Sequence, residues 1–276
     1  MVGTTDKQPC YLTLLISRVN NMLQRLTSLA IIVILALCSF SQCEAALGFD
    51  LSVASDQTDW ECLATNDATF GIVRLYRNLG QIDKNAAKSI IAANTAIDNI
   101  DGYMFPCVTQ SPYSIANNIT CDDAATQVKH TLQYLAEEGI WVNNSTLSPQ
   151  PFFPILTTLG RIWLDIEDEV PSKYYSPTIA DNTAFMSDIV AALTSYGIEV
   201  GIYTTKTYWA NVMGNQYGYG GMKLWYPHYD AVNNMDFAST VLPFAGFTSV
   251  YIKQTGGDVG LCGLSQVDSN YMPDNA

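Results

Sequence analysis

The sequence predicts an α/β domain whose parallel strands form either an open sheet or a closed barrel. Two observations support this prediction. Short runs rich in β-branched and aromatic residues alternate with segments whose apolar residues recur at helical spacing. After residue 46 the sequence also contains no linker-like stretch and no repeat at a fixed period, so a single domain, 47–276, is the simplest interpretation.

The first 46 residues differ from the rest and predict a secretory signal. Arg18 and Arg25 precede an apolar run, 29–37, and small residues follow it. This run is much shorter than the roughly 20 residues that a membrane-spanning helix needs. We therefore expect cleavage near residue 46 and no membrane anchor in the mature chain, with 1–21 as a candidate upstream extension of the signal.

The first part of the domain alternates strand and helix. Residues 47–51 predict a short strand, and residues 70–76 predict a second one because they are rich in β-branched and aromatic side chains. Residues 84–99 predict a helix, since alanine and isoleucine recur there at roughly helical spacing. Residues 102–107 then return to extended structure.

The second part repeats this pattern and then loosens. Asp122 starts a predicted helix, 122–138, and Gly197 ends another, 182–196. The remaining predicted elements are strands 161–167, 199–204, 224–229 and 248–254, a short helix, 206–213, and a closing hairpin, 264–271.

Acidic residues occur near the ends of two predicted strands. Side chains on a strand alternate between its faces, so Trp163, Asp165 and Glu167 share one face, and the aliphatic residues between them face the surrounding helices. The first predicted strand, 47–51, shows the same alternation, with Asp50 on the face opposite its apolar residues. Active sites of α/β sheets and barrels lie at the carboxyl ends of their strands. We therefore expect Asp50, Asp165 and Glu167 to lie together in one cleft.

Crowded carboxyl groups indicate a particular chemistry. Several like charges in a cleft cannot all ionise cheaply, so at least one group is expected to keep its proton near neutral pH. Hydrolysis of a glycosidic bond needs a protonated acid for the leaving oxygen and an ionised partner for the oxocarbenium-like centre. A lone Asp here would more often be structural, so the prediction of a glycosidase depends on the acids occurring together.

Other classes of function lack their required residues. His130 and His228 are the only histidines, which excludes a three-histidine metal site. No nucleophile elbow, Walker loop or dinucleotide fingerprint is present, so we expect no metal and no cofactor. A net charge of −13 without a basic stripe argues against nucleic acid as a partner. The same charge repels anionic surfaces at neutral pH, and because this repulsion fades as carboxylates protonate, we expect the protein to work in an acidic compartment.

Aromatic residues are further candidates for binding the substrate. Rings are dense between residues 203 and 229, and Tyr203 and Trp225 are candidates for stacking on sugars.

The four cysteines after the signal predict two disulfides in one of three connectivities. We favour Cys107 with Cys121, and Cys62 with Cys262 because closing a barrel brings its first and last strands together. Acceptor patterns for N-glycosylation, which agree with export, begin at Asn118, Asn143 and Asn144.

An ordered set of motifs spans nearly the whole predicted mature chain. The motifs are Gly48-Phe-Asp-Leu-Ser52, Trp163-Leu-Asp-Ile-Glu167, Gly201-Ile-Tyr-Thr204, Leu224-Trp225 with Tyr229, and Lys253-Gln254 ahead of Asp258. This set resembles glycoside hydrolase family 25, the muramidases, and more narrowly its animal, nematode-type branch. The resemblance implies an irregular TIM-like β/α barrel with five βα-type units and extra strands. It also implies cleavage of the β-1,4 bond between N-acetylmuramic acid and N-acetylglucosamine in bacterial peptidoglycan.

The resemblance also implies roles for individual residues. Glu167 is the expected general acid, and Asp165 the group that attacks or that orients the substrate's N-acetyl group. Asp50 and Asp258 are expected to tune charge and position, although the family's aromatic-rich segment before the last acid is replaced here by Tyr251-Ile-Lys-Gln-Thr-Gly-Gly. The expected substrate-binding residues are Arg74, Tyr203, Trp225 and Gln254.

Two other functions stay open. A chitinase-like hydrolase would share this chemistry, but its motif has a further Asp where this sequence has Trp163. A carbohydrate-binding barrel without turnover is the other alternative, and the presence of all four acids argues against it. On the favoured interpretation the protein is a secreted monomer that acts on peptidoglycan in the extracellular space, a gut lumen or a lysosome-like compartment, in antibacterial defence or digestion.

Overall fold

Eight strands close into a barrel in the computed structural model, which describes residues 45–146 and 155–273. The predicted signal, 1–46, lies outside the described residues except for its last two positions, and its candidate extension, 1–21, lies wholly outside them. Among the described residues no helix is long and apolar enough to cross a membrane.

The strands are numbered in chain order. They are β1 (Ala46–Leu51), β2 (Ala68–Arg77), β3 (Gln81–Ile82), β4 (Asn99–Met104), β5 (Ile140–Val142), β6 (Thr157–Leu159), β7 (Ile162–Asp165), β8 (Val200–Tyr203), β9 (Lys223–Pro227), β10 (Ile252–Gly256) and β11 (Val267–Met272). The helices of the described residues are α1 (Gln57–Thr65), α2 (Ala86–Ala93), α3 (Pro112–Ala116), α4 (Ala124–Glu137), α5 (Ile179–Ser195), α6 (Lys206–Met213) and α7 (Ala238–Val241).

The barrel order is β1, β2, β4, β7, β8, β9, β10 and β11, and β11 returns to pair with β1. Neighbours from β1 to β10 are parallel, whereas β11 runs antiparallel to both of its neighbours. Five helices of eight residues or more, α1, α2, α4, α5 and α6, follow barrel strands. The predicted α/β barrel with five βα-type units and extra strands is therefore confirmed.

Several local predictions were wrong or incomplete. Residues 264–271 do not form a hairpin, because β11 pairs with β10 on one side and with β1 on the other. Helix α1 was missed although Asp56 and Asp59 form a capping box at its start. Helix α4 is capped by Asp123 rather than Asp122.

Alternation along β7 separates two apolar cores, as predicted. Ile162, Leu164 and Ile166 belong to the large core between the barrel and its helices. Trp163 belongs to a smaller cluster inside the barrel, whose buried members are Phe70, Ile72, Tyr103, Trp163, Tyr203, Trp225 and Ile252. Large aromatic rings thus fill the barrel below its carboxyl-end mouth.

Both predicted disulfides are present. Cys62 in α1 is bonded to Cys262, which precedes β11, and Cys107 is bonded to Cys121. The long-range bond lies beside the strand pair that closes the barrel, in agreement with the reason for predicting it. Glycosylation stays a prediction, and its three candidate side chains, Asn118, Asn143 and Asn144, are all exposed.

Gly201 leaves room for a ring inside the barrel. It lies opposite Trp163 in the β7–β8 register, and a Cβ atom there would be 2.3 Å from the Trp163 ring. We expect Gly201→Ala to lower the free energy of unfolding by about 1–3 kcal/mol, because the packed ring has no room to move. Gly221→Ala is the matched control, since nothing lies within 4 Å of its Cβ position. Equal denaturant midpoints for the two variants would contradict this account.

Candidate active site

Asp50 lies on β1 inside the mouth of the barrel, where it is 5% exposed. Its Oδ1 atom accepts hydrogen bonds from Gln254 Nε2 at 2.9 Å and from Asn270 Nδ2 at 2.7 Å. Burial, and then the neighbouring Asp268, raise the pKa of Asp50 well above its usual range, against the opposing effect of the two amides. Asp50 is therefore positioned as a group that holds a proton.

Asp165 is the last residue of β7 and is also buried. Its Oδ1 atom has no hydrogen-bond partner among the described residues. Burial, and then Glu167 and Asp50, raise the pKa of Asp165 well above its usual range, while Arg74 opposes the shift. A buried oxygen without a partner is costly in a structural residue, so it indicates a group reserved for a ligand or a reaction.

Glu167 follows Asp165 by two residues and stays partly exposed. Burial raises its pKa to about 7, with further contributions from the charges of Asp268 and Asp168. A carboxyl group with such a pKa is still largely protonated in mildly acidic solution and can donate that proton. Sequence and structure agree in bringing Asp50, Asp165 and Glu167 to one cavity.

The fourth acid that lines this cavity is Asp268, and Asp258, which was expected there, does not line it. Asp258 is exposed, lies in a left-handed turn with φ of 48°, and is absent from the cavity wall. Asp268 on β11 lies directly opposite Asp50 in the β1–β11 register and lines the cavity. Asp258 acts on Asp268 from outside the cavity: its backbone N–H donates to Asp268 Oδ1 at 2.6 Å, and, in addition to burial, its charge helps to raise the pKa of Asp268. The turn between β10 and β11 points the Asp258 side chain outward, and burial raises the pKa of Asp268 instead.

Gln254 joins the acids to two tyrosines. Its Nε2 atom donates to Asp50 and, at 3.0 Å, to Asp268 Oδ2. Its Oε1 atom accepts from the hydroxyl groups of Tyr203 and Tyr229, each at 2.8 Å. Both amide hydrogens and both oxygen lone pairs are thereby used. Gln254 thus lines the cavity as predicted, and its bonds position the acids and tyrosines around it.

Tyr203 and Trp225 line the cavity with their rings, together with Tyr103, which sequence reasoning missed. Tyr203 and Trp225 meet edge to face, with ring centroids 4.5 Å apart, and Trp225 Nε1 donates to Asn270 Oδ1 at 2.8 Å. Both candidates therefore reach the predicted site. Because they are 7% and 2% exposed, only a small part of each ring is open to a ligand.

Arg74 does not reach the cavity wall. Its Nε atom pairs with Asp83 Oδ2 at 2.8 Å, and its Nη2 atom donates to the carbonyl oxygen of Ser52 at 2.6 Å. The expected substrate-binding role is therefore corrected. Arg74 instead supplies a fixed positive charge close enough to Asp165 to oppose the rise of its pKa.

Asp168 is a buried carboxylate that anchors the loop after β7. It accepts hydrogen bonds from the backbone N–H groups of Glu169, Lys173, Tyr174 and Tyr175, at 2.8 to 3.0 Å. No role for Asp168 was predicted from the sequence. The loop it holds forms one wall of a second cavity of about 340 Å³, which adjoins the first cavity of about 80 Å³.

Comparison with known proteins was made on sequence and on fold. The family model described as "Lysozyme-like protein 1" matches residues 41–148 and 156–255. "Probable GH family 25 lysozyme 2" of Dictyostelium discoideum is 33% identical, over 83% of this chain and 92% of the relative. "Lysozyme-like protein 5" of Caenorhabditis elegans is 31% identical, over 88% of this chain and 98% of the relative.

Solved structures share the fold. The bacterial lysozyme of Streptomyces coelicolor superposes with a TM-score of 0.59 at 18% identity, covering 84% of this chain and 93% of that one. A family GH25 lysozyme from Aspergillus fumigatus gives 0.56 at 19% identity, covering 82% and 93%. With the sequence relatives, these likenesses establish that the chain belongs to glycoside hydrolase family 25, the lysozymes.

Proposed function

We propose that this protein hydrolyses the β-1,4 bond between N-acetylmuramic acid and N-acetylglucosamine in bacterial peptidoglycan. The observation that carries the proposal is the pairing of Glu167, whose pKa is raised to about 7, with the unpartnered buried oxygen of Asp165. The first group can give a proton and the second can meet a developing positive charge. Relatives named lysozymes support the choice of substrate.

In the proposed reaction, protonated Glu167 donates its proton to the bridging glycosidic oxygen. The bond from that oxygen to the anomeric carbon breaks, and positive charge develops on the sugar ring. Asp165 meets this charge by direct attack or by orienting the sugar's N-acetyl group. Water then adds to the anomeric carbon and returns a proton to Glu167, which restores the acid. Asp50 and Asp268, tied to Gln254, hold the cluster in place.

We further propose that the protein is exported and works as a monomer in an acidic compartment, in defence or digestion. The apolar segment near the start of the chain and the two disulfides support export. The raised pKa values of the clustered acids favour an acidic setting, where Glu167 holds its proton.

Removing the acid of Glu167 tests its role. Glu167→Gln is expected to lower kcat by about 10²- to 10⁴-fold, because the amide cannot protonate the leaving oxygen. Asp165→Asn is expected to act in the same direction. Glu137→Gln, at an exposed position on α4, is the control. Release of reducing sugars from peptidoglycan is the measurement, and variants as fast as the parent would refute the assignment. A parent that binds peptidoglycan without cleaving it would instead be a carbohydrate-binding barrel.

Activity is expected to fall as pH rises through about 7, because Glu167 then loses its proton. The fall in activity at low pH is expected from protonation of the coupled acids. Because these acids interact, the apparent pKa values of the pH profile describe the cluster and not one residue. The measurement is kcat/KM on soluble peptidoglycan at constant ionic strength between about pH 3 and 9. A profile that keeps rising above neutrality excludes Glu167 as the general acid.

The placement of Asp268, rather than Asp258, at the cavity can be tested separately. Asp268→Asn removes a charge that lines the cavity, and we expect it to lower kcat at least about tenfold, the effect of 1.4 kcal/mol on the barrier. Asp258→Asn, ten residues away, leaves the backbone N–H in place and is expected to be close to the parent. Thermal unfolding of both variants controls for folding. The reverse order of activities would restore Asp258.

A further inference from the structure

Two cavities meet at Glu167. The inner cavity is lined by the four acids, and the outer cavity by Pro171, Lys173, Tyr174 and Tyr208 together with the acids that follow β7. Glu167 lines both of them. A general acid must reach the oxygen that joins two sugars. On the proposed function, the attacked sugar therefore faces the inner cavity, and the leaving part of the strand lies in the outer one.

The wall of the outer cavity is held in place before any ligand binds. The buried Asp168 carboxylate fixes the backbone of Lys173 and Tyr174 at 2.9 Å. The Tyr174 ring packs against Phe105 and Tyr113, with centroids 5.4 and 5.3 Å away. Tyr174 thus offers a supported apolar surface of the kind on which sugars pack.

Lys173 is the one cation among the side chains that line this cavity. Its ammonium group lies 4.7 Å from the Tyr174 ring centroid and 5.9 Å from that of Tyr113, and the residue is exposed. Within 45–146 and 155–273, Lys173 forms no ion pair with a carboxylate. The two rings and the attraction of Asp168 thus hold a positive charge without a salt bridge at the cavity wall.

We propose that Lys173 is a specificity-determining residue that binds a carboxylate of the lactyl or peptide substituent on the leaving part of the glycan strand. Peptidoglycan differs from chitin by these carboxyl-bearing groups, since the sugar backbones are otherwise alike. The chain as a whole carries a net charge of −13 and repels such a polymer. One positioned cation supplies a local attraction that a neutral polymer cannot use.

The test uses two matched substrates. One is soluble glycan strands stripped of peptides, which keep free lactyl carboxylates, and the other is the same strands with those carboxyls converted to methylamides. For Lys173→Met we expect KM to rise about threefold on the carboxylate strands, within the range measured for exposed ion pairs, and to stay unchanged on the amidated strands. The effect should shrink in high salt, and kcat should stay constant.

Two further variants complete the design. Lys173→Arg is expected to keep the preference for carboxylate strands, because the charge is retained. Lys129→Met removes an exposed cation from α4, away from both cavities, and is expected to leave the preference intact.

The outcomes separate the two proposals. A parent that cleaves neither substrate contradicts the proposed function itself. A parent that cleaves both, with Lys173→Met showing the parent's ratio of KM values, overturns the role of Lys173 and leaves the lysozyme assignment standing. An equal loss on both substrates also overturns it, since it would mark a structural role in the loop.

Discussion

Closure of the barrel by β11 is the constraint on which the site depends. The antiparallel pairing of β11 with β1 places Asp50 directly opposite Asp268, two acids whose charges repel each other. The pairing is tolerated because the Gln254 amide donates to both carboxyl groups and Asn270 donates to Asp50. Gln254 is fixed in turn by two tyrosine hydroxyls, so closure of the sheet and order in the site depend on the same side chain.

The cluster has a thermodynamic cost that varies with pH. The pKa values of Asp50, Asp165, Glu167 and Asp268 are all raised in the folded protein. The folded state therefore binds protons more tightly than the unfolded chain, and stability falls as pH rises from the ordinary carboxyl range, near 4, through about 7 for Glu167. The pH range in which Glu167 can donate a proton is thus also the range in which these acids destabilise the folded state least.

Positions that depend on a single strand could be predicted from the sequence, whereas positions that depend on the pairing of distant strands could not. The inward face of Trp163 and Asp165 follows from the period of two along a single strand, so it could be predicted. Asp268 required the register of β11 against β1, which joins strands more than 200 residues apart and leaves no local signal. Asp258 was expected from the family resemblance alone, and the structure places it in an exposed left-handed turn outside the cavity wall.

Residue roles were harder to predict than residue positions. Gln254 and Arg74 lie on the expected strands. All hydrogen-bonding groups of Gln254, and Nε and Nη2 of Arg74, are nevertheless bonded within the protein. Whether a polar side chain binds substrate depends on what its neighbours leave unsatisfied, and that count exists only in the folded structure. By this count Asp165 Oδ1 lacks a hydrogen-bond donor at the cavity, and the Lys173 ammonium group has no carboxylate partner among the described residues. Asp165 ends a barrel strand, and Lys173 lies in the loop that Asp168 anchors. Glu167 lies between them at the start of that loop and lines both cavities. On the proposed roles, one short segment of chain therefore joins the groups that react to the group that recognises the polymer.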